Sequence, residues 1–87
     1  MKDWYVYILK CSDESLYTGI TKDINKRLYE HNNTKTGASY TKGRRPCFLL
    51  YQEGPMDKSS ALKREISIKK ITRKEKLELV GIIDKNN

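Results

Sequence analysis

Apolar positions follow two different periods along this chain, and the switches between them mark its elements. Trp4-Tyr5-Val6-Tyr7-Ile8-Leu9 is a short run of aromatic and β-branched residues, the composition of a strand covered on both faces. Ser12-Asp13-Glu14 reads as a turn, and a second strand follows from about Ser15 to Thr21, which makes a hairpin. Its register can be reasoned from parity, because side chains alternate faces along a strand. A three-residue loop at 12–14 pairs Cys11 with Ser15, puts Tyr7 and Tyr17 on one face and sets Gly19 opposite Tyr7. A two-residue loop would separate the tyrosines.

The period then lengthens to that of a helix. Ile24, Leu28 and Tyr29 are spaced as one helical face, with Arg27 and His31 one turn apart beside it. Thr21 or Asp23 supplies the cap, and the helix is expected to stop around Asn32-Asn33. Thr34 to Pro46 reads as a polar loop bending at Gly37 and Gly43. Cys47-Phe48-Leu49-Leu50-Tyr51 is a third strand, which Gly54-Pro55 is expected to break. A second helix runs from Asp57 or Ser59 to Lys70, with apolar contacts from Ala61, Leu62, Ile66 and Ile68 and with Glu65 on their flank. Thr72-Arg73-Lys74-Glu75 fits a capping box that opens a third helix through Leu77, Leu79 and Val80 to Gly81. The tail from Asp84 to Asn87 reads as frayed. The pattern predicts an α/β (α+β) fold, a small three-stranded, mainly antiparallel sheet flanked by about three helices.

Length and charge narrow the class. Eighty-seven residues suit one domain, 1–87, with its core over about 4–80. Eighteen Lys and Arg against eleven Asp and Glu leave a net charge of +7. That excess suggests a polyanionic partner, nucleic acid first and an anionic membrane second, against the plainer reading of a surface kept soluble by repulsion. The apolar run from Trp4 to Leu9 is too short for a secretory leader or a membrane span. Cys11 and Cys47 match no metal-binding spacing and read as small buried hydrophobes of a reducing, cytoplasmic protein, with a bridge between them as the lesser alternative.

Two phenols, a guanidinium, an imidazole and a carboxylate form a set suited to metal-assisted phosphodiester hydrolysis. That reaction needs an activated water, a neutralised phosphate and help for the leaving oxygen. Glu65 is the candidate ligand for a divalent cation, since magnesium keeps most of its waters and borrows phosphate oxygens; otherwise it pairs with Lys69 four residues on. Tyr7 or Tyr17 would act on the water, although only about one free phenol in a thousand is ionised at neutral pH. Such a base needs a metal or cationic neighbour; otherwise the pair are core tyrosines of a hairpin. Arg27 suits bidentate contact with phosphate, or else pairs with Asp23. His31 can donate to phosphate or relay a proton, or else is structural. Lys35, Lys42, Arg44 and Arg45, with Tyr40 among them, form a phosphate-contacting arm that gives affinity without sequence choice. Lys63, Arg64, Lys69, Lys70, Arg73, Lys74 and Lys76 read mostly as a solvated face.

The order of these motifs resembles the GIY-YIG nuclease superfamily. The residues carrying the resemblance are Tyr5-Val6-Tyr7, Tyr17-Thr18-Gly19, Arg27, His31, and Glu65 within Ala61-Leu62-Lys63-Arg64-Glu65. The match spans roughly residues 4 to 80 and looks most like the short, stand-alone members. The resemblance implies the catalytic fold of excision-repair and homing endonucleases and a magnesium- or manganese-dependent endonuclease acting on DNA in repair or processing, with RNA left open; the sequence does not give the oligomeric state, a monomer being the slightly favoured expectation. It implies Tyr7 as general base, Tyr17 in support, Arg27 and His31 on the phosphate, Glu65 on the metal and Gly19 as open backbone beside the phenol. The alternative is a nucleic-acid-binding module without turnover, and a third reading is a protein-interaction domain whose basic helices meet an acidic partner. Tyr5 stands where the family name has a glycine, and Val6 and Thr18 replace isoleucines. The late asparagine of some members has only Asn86 and Asn87 as counterparts, and its role is not carried over.

Overall fold

The computed structural model describes residues 1–82, so the expected fraying of Asp84 to Asn87 lies outside the described residues. Strands β1 (Trp4–Lys10) and β2 (Leu16–Thr21) form the hairpin, and Tyr7 pairs with Gly19 in the register that parity requires. The turn closes with Cys11 N donating to Ser15 O at 2.9 Å and Glu14 N to Cys11 O at 3.0 Å. Glu14 takes a positive φ of 71°, the left-handed third position of a three-residue hairpin loop. Asp13 holds the exit by accepting from both the amide and the hydroxyl of Ser15.

Helix α1 (Ile24–Asn33) follows, with Asp23 as its cap: the carboxylate accepts from Lys26 N. On a helix turning about 100° per residue, Ile24, Leu28 and His31 share one stripe, whereas Tyr29 lies roughly 140° from Ile24. Tyr29 is 62% exposed and His31 is fully buried, so His31 rather than Tyr29 completes the buried face. Asn32 then grips the next strand, donating to Cys47 O at 2.9 Å and accepting from Cys47 N at 2.7 Å.

The segment expected as a plain loop contains a one-turn helix, α2 (Ser39–Lys42). Gly37 lets the chain turn close to α1: a Cβ there would sit 2.7 Å from Glu30 O. Strand β3 (Phe48–Met56) begins one residue later than expected and does not break at Gly54-Pro55. Gly54 has φ +134° and lies where a Cβ would meet Trp4 O at 2.7 Å. The β1–β3 register shifts between Trp4 and Val6, and a bulge on an edge strand tolerates both a left-handed glycine and a proline without an N–H. The order is β2-β1-β3, all pairs antiparallel.

Helix α3 (Lys58–Lys70) is capped by Asp57, and α4 (Arg73–Leu79) carries the expected capping box between Thr72 and Glu75. The described residues therefore hold four helices, α2 being the addition. Central β1 divides the core. Val6 and Ile8 meet Ala61 and Ile68 of α3 on one face; Tyr7, Leu9, Cys11 and Cys47 meet Ile24 and Leu28 of α1 on the other. Both cysteines are buried free thiols, with Sγ atoms 3.4 Å apart. Leu62 and Ile66 were expected in the α3 contact but are 40% and 49% exposed. They sit about 100° and 140° around the helix from Ala61, outside the stripe that Ala61 and Ile68 define. Among the described residues no helix is long and apolar enough to cross a membrane.

This rotation of α3 predicts unequal costs. Ile68→Ala should lose about 2–5 kcal/mol, as a fully buried aliphatic does, and Ile66→Ala should stay within about 0.5 kcal/mol. Urea unfolding of the two variants checks this; equal losses would contradict the placement of the stripe.

Candidate active site

The β1–β2 pairing places a glycine where a side chain would block the site. A Cβ on Gly19 would lie 2.6 Å from Tyr7 Oη and 2.7 Å from Cζ, so only glycine leaves room for the phenol to lie over the β2 backbone. Gly19 is itself buried; its part is to make space for Tyr7 rather than to present a surface. Tyr17, two residues earlier on the same face, has its ring centroid 6.3 Å from that of Tyr7.

Helix α1 brings the imidazole. Tyr7 Oη and His31 Nε2 are hydrogen-bonded at 2.7 Å, and the Tyr17 ring packs against the imidazole with centroids 5.0 Å apart. Nδ1 of the same ring meets Thr41 Oγ1 at 2.9 Å. Thr41 belongs to α2 and is fully buried. Burial and the nearby Arg27 lower the His31 pKa to about 4, and Arg45 adds to this against the opposing charge of Glu30. His31 is thus neutral at physiological pH and has no solvent-facing edge, a placement that suits the proton-relay reading better than donation to a phosphate. Burial and Tyr17 push the Tyr7 phenol up to about 12, with Arg27 opposing and Glu65 adding to the rise.

Arg27 sits one helical turn before His31. Its Nη1 donates to Thr36 O at 2.9 Å and to Glu30 Oε1 at 3.3 Å, so Glu30 replaces the expected partner Asp23, which is occupied as the helix cap. The guanidinium also bears on the Tyr7 hydroxyl, which helps hold its charge, and a planar fork of five donors keeps N–H groups beyond these contacts for a ligand.

The carboxylate comes from α3, which covers the opposite face of β1. Glu65 acts on the Tyr7 phenol through its charge, while its Oε1 lies 3.6 Å from Lys69 Nζ, the pairing expected at that spacing. Among the described residues no three His, Cys, Asp or Glu side chains converge on a metal position. A single carboxylate suits magnesium or manganese, which take most of their oxygens from water and substrate. It does not fit an all-protein cage.

The basic arm divides. Lys35 and Lys42 are exposed. Arg44 donates from Nε to Asp13 Oδ2 at 3.0 Å and from Nη1 to Tyr40 O at 2.8 Å, and its guanidinium lies 4.1 Å from the Tyr40 ring centroid. Tyr40 in turn packs on Tyr17 at 5.7 Å. Arg45 turns inward and donates to His31 O and Thr34 O, closing the C-terminal carbonyls of α1. Arg45 and Arg44 therefore brace the site. Arg64, expected on the solvated face, is clamped to Glu53 by Nε and Nη2, and Tyr5 lies against Gly54, where a Cβ would meet its Cδ2 at 2.9 Å. Sequence reasoning missed Thr41, Glu30 and Asn32; a threonine two residues before Gly43 carries no signal until α2 folds it under the imidazole.

Residues 3–78 match the model of the GIY-YIG catalytic domain. A UPF0213 protein of Staphylococcus epidermidis is 56% identical over 80 residues, covering 92% of this chain and 96% of the relative. A UPF0213 protein of Syntrophus aciditrophicus is 58% identical over 76 residues, 87% of each chain. Among solved structures, the solution NMR structure of a UPF0213 protein from Bacillus halodurans aligns with a TM-score of 0.58 at 39% identity, covering 91% of this chain and 83% of that one. That of a protein from E. faecalis aligns with a TM-score of 0.60 at 39% identity, covering 91% and 84%.

The buried neutral imidazole carries a pH signature. Its pKa is about 4 in the fold against roughly 6.5 in the unfolded chain, so the unfolded state binds the extra proton as pH falls. The contribution is fully present above 6.5 and lost as pH drops through 4, about 3 kcal/mol in all. Urea unfolding from pH 7.5 to 4 should show this loss in the wild type and a shallower slope in His31→Gln; parallel slopes would mean that His31 titrates normally.

Proposed function

The chain belongs to the GIY-YIG family of catalytic domains, and from that premise we propose that it is a divalent-metal-dependent endonuclease that hydrolyses DNA phosphodiester bonds. The observation that carries this reading is the joint placement of Tyr7, Tyr17, His31 and Arg27 on one face of the hairpin, with the Tyr7 hydroxyl bonded to His31. Tyr7 would take the proton of the attacking water. Arg27, steadied by Glu30 and Thr36, would hold two oxygens of the scissile phosphate through its remaining N–H groups. Tyr17 would pack the imidazole and orient the nucleophile. Glu65 would hold magnesium or manganese, whose contribution is to neutralise charge on the phosphate.

Lys35 and Lys42, exposed on the arm braced by Arg44 and Arg45, would contact flanking phosphates and set affinity without reading bases. Tyr5, at the position of the family's first glycine, lies against Gly54 rather than across the Gly19 opening. It leaves the Tyr7 phenol its space over β2.

The test is cleavage of labelled duplex, nicked, branched and single-stranded DNA with magnesium, manganese or chelator. Glu65→Ala and Arg27→Ala should each lower the rate by at least 10²–10³-fold, the order expected for losing a transition-state charge contact, with the wild-type circular dichroism retained. Full activity in either variant would remove the mechanism, and salt-sensitive binding with no metal-dependent product from the wild type would favour a binding module on the same fold.

A further inference from the structure

The chain of polar contacts behind Tyr7 has a definite proton direction, and the direction comes from its far end. Thr41 Oγ1 lies 2.9 Å from Ala38 O and 2.9 Å from His31 Nδ1, and His31 Nε2 lies 2.7 Å from Tyr7 Oη. A carbonyl oxygen only accepts, so the single hydroxyl proton of Thr41 goes to Ala38 O. Thr41 Oγ1 can then only accept from the imidazole, which requires the proton of neutral His31 on Nδ1. Nε2 keeps its lone pair, and the Tyr7 hydroxyl must donate to it. The opposite tautomer would leave the Thr41 and Ala38 oxygens facing each other at 2.9 Å with no proton between them, inside a buried site where such a pair is costly.

We propose that Thr41 is a positioning residue that locks His31 in the Nδ1–H tautomer and so makes its Nε2 the acceptor for the Tyr7 proton. This rests on the reading of Tyr7 as the group that meets the attacking water. The step balances as a relay: one O–H bond of water breaks and its proton goes to Tyr7 Oη, the Tyr7 O–H bond breaks and its proton goes to His31 Nε2, the hydroxide oxygen bonds to phosphorus, and the P–O bond to the leaving sugar oxygen breaks, that oxygen taking a proton from solvent. Tyr7 ends neutral and His31 ends as imidazolium, which passes its proton back through Tyr7 to a solvent water once the product has left. No free tyrosinate has to form. The charged groups around the ring are Arg27 and Glu30 of α1 and Arg45 after α2, with the phenols of β1 and β2 against its other faces.

The fold gives this arrangement its own support. Thr41 is fully buried, and α2 is short: its N-cap, Ala38, makes no side-chain cap bond. The backbone amide and the hydroxyl of Thr41 both donate to Ala38 O, at 3.1 and 2.9 Å. That one carbonyl thus closes the turn and orients the hydroxyl.

Two readouts test the assignment on the full chain, using the Thr41→Val and Thr41→Ser variants. Nitrogen chemical shifts of His31 in ¹⁵N-histidine-labelled protein report the tautomer without any need for turnover. The wild type and Thr41→Ser should show Nδ1 protonated and Nε2 bare, and Thr41→Val should show a mixture or the reverse. In cleavage of a labelled DNA oligonucleotide with magnesium, Thr41→Val should lower kcat by at least tenfold with KM unchanged, and Thr41→Ser should recover most of the rate. A wild-type ring protonated on Nε2, or a Thr41→Val enzyme with wild-type kcat, would overturn the proposal. If the wild type cuts nothing, the nuclease reading fails while the nitrogen shifts still decide the direction of the chain.

Discussion

A glycine opposite Tyr7 is the constraint on which the rest of the site depends. Any Cβ at position 19 would strike the phenol at 2.6 Å, and the phenol could not then lie where His31 reaches it. The pairing is set in turn by the three-residue turn at Ser12–Glu14, whose left-handed Glu14 and Asp13–Ser15 bonds hold the register. A slip by one residue would invert the faces of β2 and put Tyr17 into the layer filled by Val6, Ile8, Ala61 and Ile68. The same alternation along β1 lets one strand carry an aliphatic core on one side and a polar, aromatic site on the other.

The chemistry is shaped by burial. A tyrosine in so enclosed a setting is a poor base, and a histidine stripped of water is a weak one. Joined by a short hydrogen bond they can share a proton that neither would hold alone, and a nearby guanidinium favours the negative end. Arg27, Arg44 and Arg45 show how a small basic domain divides its charge. Arg44 and Arg45 are consumed by carbonyls, a carboxylate and an aromatic face, and so make the loop a fixed wall; Arg27 is only partly consumed. A net charge of +7 therefore overstates the number of groups available to a polyanion.

Much of this architecture is legible in the sequence where a local rule operates. The hairpin parity, a cap at Asp23 or Thr21, the capping box at Thr72, and the pairing of Tyr7 with Tyr17 and of Arg27 with His31 follow from spacing, whereas bringing the two pairs together comes from the family resemblance. The errors have a common source: they concern which stripe of an element the neighbours cover. Tyr29, Leu62 and Ile66 are apolar at helical spacing yet lie outside the stripes that the sheet covers, and His31, placed beside the apolar face, fills the place given to Tyr29. Gly54-Pro55 reads as a break because the bulge that accommodates it depends on β1, fifty residues away. Thr41 and Glu30 gain meaning only after α2 and the loop at Thr34–Gly37 fold back on α1.

On the proposed function, the face holding Tyr7, His31 and Arg27 receives the scissile phosphate. A crystal structure of Tyr7→Phe with magnesium and a short DNA oligonucleotide tests it most directly. One phosphate should lie between the guanidinium of Arg27 and the ring at position 7, with the cation on Glu65 and the flanking phosphates running toward Lys35 and Lys42. DNA seated on the basic faces of α3 and α4, with no phosphate at Arg27 and no cation at Glu65, would contradict it.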